Sequence, residues 1–407
     1  MFTQIDSLSL NEAIDVALRQ SPSYYESKIA LDQSRIQFYR SLSALLPTVA
    51  VSGSYTVTES DGMENSGYTG SASLNMPLFD LDVLSSIVVS NRSLRGSNIQ
   101  HHADVASLIL SLKSAYYGLI NAGALVNSVE IAIKRAEENL KLIGTRYELG
   151  AASRLEVLQG EVFHLRALGD RAQARTAYIM AHEELKSLLG TTHDIYATDS
   201  LTLPGDTEFP SLDSLVSLLY EANYALQLSR EMRNIAHLQL GTAYLSFLPR
   251  VSFFYGYSYS ADSFIFDFQH LEDNSVKNYG ITLSLPVFEL RSLIFGYLNA
   301  KKEYQKQELA QKRIRLETEK SLRTTYYSLL EAHERLKFAD KSLSAAREAT
   351  EIAREQYALG IVSFLDFLTA EKDLYETRVS YSSALSDFYI QRATLSFILG
   401  ELSFTGE

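Results

Sequence analysis

The 407 residues contain neither cysteine nor tryptophan. Without cysteine there is no disulfide, no thiolate metal site, no cysteine nucleophile and no lipid anchored through a cysteine of this chain. No stretch approaches the ~18 consecutive apolar residues of a membrane-spanning helix. Positive charge is in the minority, 37 Lys and Arg against 49 Asp and Glu, and the net charge of −12 argues against nucleic acid as a partner. Met1–Ile14 shows no basic segment followed by an apolar one, so no signal peptide is visible. Those bounds alone leave a cytosolic chain and a mature exported chain both open. His101-His102 stands without further ligands at a usable spacing, so no metal is expected. Phosphate loops and nucleophilic triads leave no trace, so neither an enzyme nor a cofactor is expected. The hydrophobic content of 46% excludes wholesale disorder.

What the chain does have is itself, twice. "RYELGAASRLEVLQGE" (146–161) and "QYALGIVSFLDFLTAE" (356–371) share Tyr, Leu-Gly, Ser, Leu, an acid, Leu and a closing Glu at an offset of 210. "AYYGLI" (115–120) matches "TYYSLL" (325–330), and "LLG" (188–190) matches "ILG" (398–400), at the same offset. Nearer the start, "LLPTVAVSGSY" (45–55) matches "FLPRVSFFYGY" (247–257) at 202, and "LNMPLFD" (74–80) matches "LSLPVFE" (283–289) at 209. The second copy therefore carries a longer loop between its strands. Internal similarity on this scale means repeated structural units. The repeats span 8–190 and 211–402, joined by the breaker-rich segment 191–210.

Each repeat has the same inner order. Two helices come first (about 9–20 and 22–46; 211–221 and 223–248), the second stopping at Leu46-Pro47 or Leu248-Pro249. Proline lacks the amide the helix needs and disfavours helical geometry in the residue before it. Two strands follow, about 48–58 and 68–78 in the first copy, 250–261 and 278–288 in the second. A very long helix, a glycine turn near 150 or 360, and a last helix close each unit.

The strands alternate with period two. Val49, Val51, Gly53, Tyr55 and Val57 share one face, and Ala50, Ser52, Ser54, Thr56 and Thr58 the other. Phe253, Tyr255, Tyr257 and Tyr259 alternate in the same way with Phe254, Gly256, Ser258 and Ser260. A soluble sheet usually sets Lys, Glu or Arg on its wet face. Here the polar face is nearly all Ser, Thr, Asn and Gly, the pattern of a barrel wall in lipid, and the tyrosines suit an interfacial aromatic belt. Four strands cannot close, and lipid does not tolerate open sheet edges. A spanning barrel must therefore be shared between subunits: two copies would give eight strands, three twelve and four sixteen, and the strand pattern does not choose among them.

The long helices carry period 3.5. Val105, Leu108, Leu112, Ala115 and Leu119 begin one unbroken series of 3- and 4-residue steps; Leu322, Thr325, Leu329, Ala332 and Leu336 begin another. Phe367, Leu374, Tyr381, Phe388 and Leu395 recur every seven residues. Sustained heptads mean coiled-coil packing. A helix over 81–145 would be about 95 Å long at ~1.5 Å per residue. The expected fold class is mainly α with a membrane β-barrel contribution: two repeats of long coiled-coil helices with two strands each.

In this order, with "LP" before each first strand, the "LNMPLFD" and "LSLPVFE" strand ends and the two tip motifs, the chain resembles the TolC family of outer-membrane efflux proteins over residues 8–402. The resemblance implies a homotrimer with a 12-stranded β-barrel in the outer membrane of a Gram-negative bacterium, set on an α-helical barrel in the periplasm. It implies a passive exit duct that partners a periplasmic adaptor protein, an inner-membrane transporter and outer-membrane lipid, and needs no cofactor. It also implies a gate at the tips, mapped here onto Tyr357, Asp366 and Glu156, with Arg154 as a substitute charge because Val362 and Thr369 depart from the family pattern. Adaptor contacts map onto Leu149, Gly150, Leu155, Leu359, Gly360 and Leu365. The competing reading is a non-conducting coiled-coil scaffold with a soluble β-domain; substrate and pump class are not legible.

Overall fold

The computed structural model describes residues 6–60, 63–205, 209–261, 275–285 and 290–401. It is mainly helical with one antiparallel sheet, and it divides into two compact units. One comprises 29–101 and 226–315, the other the remaining segments.

The first unit holds the sheet. Strands β2 (Thr48–Ser60), β3 (Met63–Phe79), β5 (Arg250–Ala261) and β6 (Ser275–Ser284) pair antiparallel in the order β2-β3-β5-β6. The register keeps like faces together across all four. Val49 pairs with Leu74, Leu74 with Tyr255, and Tyr255 with Tyr279, whereas on the other face Ser52 pairs with Ser71 and Ser71 with Ser258. The Ser52 and Ser71 hydroxyls are 2.7 Å apart, and the Tyr255 and Tyr279 rings stack. The apolar and small-polar faces thus extend over both repeats, except that Lys277 lies on the apolar face opposite Tyr257, and Phe254 and Val276 lie on the other. β3 begins earlier than the alternation suggests. Backbone pairing continues through Glu59↔Glu64, where both side chains are charged and no apolar face remains to mark a strand. Residues 262–274, most of the longer second loop, and 286–288, the end of the fourth expected strand, lie outside the described residues.

Helices α2 (Pro22–Ser43) and α6 (Tyr224–Leu245) lead toward the strands and stop short of Pro47 and Pro249. After α2 the chain closes in a turn, with the amides of Ala44, Leu45 and Leu46 bonded back to Ser41, Leu42 and Ser43.

The second unit holds α1 (Leu10–Gln20), α5 (Leu212–Ala222), α4 (Arg154–Leu189), α8 (Phe364–Ile398), and the later parts of the long α3 (Leu81–Glu148) and α7 (Leu290–Ala358). Heptad positions are its core: Leu112, Leu119, Val129, Ile133 and Ile143 of α3, and Leu322, Leu329 and Leu336 of α7, are all buried. Segment 191–210 is ordered where it is described. Its β4 (Ile195–Ala197) pairs parallel with β1 (Asp6–Leu8), strands of three residues that are too short to show a period. Tyr116 donates to the Leu8 carbonyl and to Asp199, Tyr389 to Thr202 and Tyr326 to Pro210. The segment is thereby tied to the helices it crosses.

Candidate functional site at the helix turns

The repeated motif folds into two matching helix hairpins. After α3, Gly150 takes φ 72°, and after α7, Gly360 takes φ 77°. That left-handed conformation is what glycine allows at a helix C-terminus. The amides of Ala151 and Ile361 bond back to the carbonyls of Arg146 and Gln356, closing the same turn twice. Three residues later each hairpin restarts in the same way. Ser153 and Glu156 form a capping box on α4, and Ser363 and Asp366 form one on α8. In each box the serine oxygen takes an amide of the new helix, while the carboxylate takes the serine amide and hydroxyl. The two acids singled out from the sequence thus each start their own helix. Glu156 is half-buried, and Asp366 is exposed on the α7/α8 groove.

Tyr357 lies at the centre of an aromatic cluster. It stacks on Phe367 with 5.4 Å between ring centres and meets Phe364 at 5.3 Å. Ile143, Val157 and Leu368 complete the buried set, and Val362 packs on its edge. Gly160 lets α4 approach: a β-carbon there would lie 3.4 Å from Leu140 and 3.6 Å from Phe364. Burial pushes the Tyr357 phenol above its ordinary pKa, and the neighbouring Arg146 charge opposes that shift.

The arginine that reaches Tyr357 is Arg146. Arg154 is exposed and makes no ion pair among the described residues. Arg146 sits over the Tyr357 ring, and its two terminal nitrogens donate to the carbonyls of Tyr357 and Ala358 at 3.4 and 3.2 Å. It therefore closes the end of α7 from the other hairpin. The signal was present in the motif: the position matching Arg146 in the second copy is Gln356, one of the places where "RYELG" and "QYALG" differ.

One layer further from the turns lies a buried carboxylate. Glu371 of α8 accepts from Arg135 of α3 at 3.0 Å and from Arg354 of α7 at 2.9 Å. Thr350 of α7 donates to the Ala370 carbonyl beside it. Two hairpins are thus joined by an aromatic layer, an ionic layer and a cap.

The residues expected to meet a partner are at the surface. Leu149 and Leu359, just before the turn glycines, are 77% and 76% exposed. Leu155 and Leu365 come together on a groove of about 400 Å³ between α4 and α8, with Leu158, Val162 and Leu368. A second groove of about 1050 Å³ runs between α7 and α8, floored by Ala345, Ala346 and Ala349 and edged by Asp366, Asp373 and Asp387. Thr369 also lies on both grooves, its hydroxyl returned to the Leu365 carbonyl.

The profile of the outer membrane efflux protein family matches this chain over residues 13–191 and again over 215–401. The chain belongs to that family. As an outer membrane efflux protein it is a non-enzymatic transport channel, placed in the outer membrane of a Gram-negative bacterium with its tunnel on the periplasmic side. Among its relatives is the outer membrane protein TolC of Vibrio cholerae, 22% identical over 381 residues, covering 89% of this chain and 84% of the relative. Another is the probable efflux pump outer membrane protein TtgC of Pseudomonas putida, 25% identical over 390 residues, covering 91% and 78%. The outer membrane channel CmeC of Campylobacter jejuni has the same fold, with a TM-score of 0.83 at 19% identity, covering 98% of this chain and 87% of that one.

Proposed function

We propose that the chain is a passive exit duct of a tripartite efflux or secretion system, assembled as a homotrimer and opened at its helix turns by a periplasmic adaptor and an inner-membrane transporter. The observation that carries this reading is the sheet. One face is chiefly apolar and aromatic, the other chiefly Ser, Thr, Asn and Gly, and β2 and β6 have no further strand partner among the described residues. Two bare edges cannot stand in lipid. Three copies joined edge to edge would supply the twelve strands of a closed barrel, and energy would come from the transporter.

In this reading the gate is the turn region: Tyr357 at its centre, with Asp366, Glu156 and Arg154 at its rim. The exposed Leu149, Leu155, Leu359 and Leu365, with Gly150 and Gly360, form the surface the adaptor meets. The test is conductance of the detergent-purified protein in planar lipid bilayers, after its oligomeric mass is measured. A trimer that inserts and gives discrete cation-selective steps is expected, with weaker selectivity in Asp366→Ala. A monomeric, non-inserting protein overturns the duct, and unchanged selectivity in Asp366→Ala removes that residue from the gate. A bulky substitution at Gly360 that leaves trimers intact is expected to abolish efflux, and retained efflux would overturn the contact role of the turn.

A further inference from the structure

Two tyrosines tie the segment between the repeats to the helices. The Tyr389 hydroxyl of α8 donates to the Thr202 carbonyl at 3.0 Å, and the Tyr326 hydroxyl of α7 donates to the Pro210 carbonyl at 3.1 Å. Just after the first tie, Leu203, Pro204 and Gly205 enclose a cavity of about 300 Å³ with His333, Leu336 and Lys337 of α7. All of these residues belong to the helical unit. His333 is only 6% exposed. Its ring meets Phe209 edge-on, with 5.2 Å between centres, and lies tilted against Phe388 of α8 at 5.6 Å. Neither phenyl ring carries a hydrogen-bonding group. Nδ1 of His333 is sealed from solvent and has no hydrogen-bond partner among the described residues. Since His333 lines the cavity and Nδ1 has no open surface, the residue meets the cavity with its other atoms.

We propose that this cavity binds a small carboxylate with an apolar body, such as an aromatic or branched monocarboxylate. A buried polar side chain without a partner is costly, and an occupant that supplies the partner removes that cost. A neutral imidazole carries its proton on one nitrogen only. A sealed nitrogen without a partner costs less as a lone pair than as an N–H, which assigns the proton of His333 to Nε2. No described residue accepts a hydrogen bond from that nitrogen. Lys337 can only donate. Its partner Glu334 lies 3.3 Å away, with both side chains about half exposed, and such pairs are weak. Both polar side chains of the cavity are therefore donors. The occupant must bring acceptor oxygens, and the Lys337 ammonium favours negative charge on them. Leu203, Pro204 and Leu336 supply the apolar wall for the rest of the molecule. The volume stands at the small end of ligand cavities, about 300–1000 Å³, and suits a small molecule rather than a protein segment. Once occupied, the site bridges the segment between the repeats and α7. It is independent of the duct reading.

The test uses the full detergent-purified protein, titrated calorimetrically with benzoate against a blank of detergent alone. Saturable binding is expected. Acetate lacks the apolar body and benzyl alcohol lacks the charge, so each should bind at least about tenfold more weakly. His333→Phe keeps the packing on Phe209 and Phe388 but has no nitrogen, and Lys337→Gln removes the charge at an exposed position that folding does not need. Each should weaken benzoate at least about tenfold. Lys341→Gln, exposed on α7 and outside the cavity lining, should bind as the native protein does. Ring nitrogen NMR gives a direct readout: the histidine signal missing from His333→Phe should shift with benzoate, and the other histidines should stay where they are. Absence of saturable heat would mean that the cavity holds water alone, and it overturns the site. So does undiminished affinity in both His333→Phe and Lys337→Gln, or a His333 signal that ignores benzoate. Benzyl alcohol binding as tightly as benzoate would overturn the carboxylate.

Discussion

The guanidinium carbon of Arg146 lies 4.6 Å from the centre of the Tyr357 ring. The two residues belong to different hairpins, and the same arginine also caps the last carbonyls of α7. A partly desolvated cation–π contact is worth about 1–2 kcal/mol, and cations at a helix C-terminus add to it. Arg146→Gln should therefore loosen the joint between the hairpins by about 2 kcal/mol. Arg146→Lys keeps the charge but loses the fork, and should fall between. Amide hydrogen exchange reads this directly. Protection should drop over 353–368 and 143–160 in Arg146→Gln, while the distant α1 and α5 stay unchanged. Equal protection in all three proteins would remove Arg146 from the joint.

Glu371 is 5% exposed and holds arginines from two helices. Breaking a buried pair from one side leaves charge without a partner, at a cost of about 3 kcal/mol here, since Arg354 can turn toward water. Asp387 makes an equally short ion pair with Arg335, but both side chains are about half exposed. Asp387→Asn should cost well under about 1 kcal/mol. Thermal unfolding of Glu371→Gln and Asp387→Asn side by side should separate them clearly. Equal midpoints would show that the Glu371 layer is solvated rather than buried.

Much of this architecture can be read from residue spacing, because its elements are long. Thirty or more residues of 3- and 4-step periodicity leave little choice but a coiled coil, and most of the expected a and d residues of α3 and α8 are buried, with Ala115 and Tyr381 only half-buried and Tyr116 and Leu385 buried outside the series. The strands announce themselves through alternation, up to the point where β3 turns polar at its start. Contacts between hairpins are another matter. Arg146 and Tyr357 are 211 residues apart, and no local rule links them. Arg154, one residue after a cap, had the right charge but faces outward. Glu156 and Asp366 carried a local signal, a serine three residues before each, and the structure uses both in that way.

Among the described residues, four glycines with positive φ divide into two kinds. At Gly150 and Gly360 a β-carbon would meet nothing within 4 Å, so alanine should cost only the strain of the left-handed backbone, about 1 kcal/mol each. At Gly190 it would lie 2.7 Å from the Gln20 carbonyl oxygen, and at Gly400 2.5 Å from that of Ala222. Those are backbone atoms that cannot swing away. Gly190→Ala and Gly400→Ala should lower the unfolding midpoint markedly more than Gly150→Ala and Gly360→Ala. An equal effect at all four positions would mean that the backbone near Gln20 and Ala222 yields readily.

The buried phenol of Tyr357 links the same joint to pH. Its pKa is raised by burial in the folded chain, so the folded state holds this proton more tightly than the unfolded state. Its contribution is therefore complete below the ordinary tyrosine pKa of about 10 and is lost as pH rises through the raised value. Tyr116, Tyr117, Tyr375 and Tyr381 are shifted the same way, again chiefly by burial, so the whole helical unit should weaken in alkali. Tyr357→Phe keeps the stack on Phe367 and the face under Arg146 but has no proton to lose. Its unfolding midpoint, followed from pH 8 to 11, should fall less steeply than that of the native protein. Tyr357→Ala removes the ring and should cost about 3–5 kcal/mol at every pH. A Tyr357→Phe curve parallel to the native one would mean that this phenol already titrates in water and that the aromatic layer is open in the assembled protein.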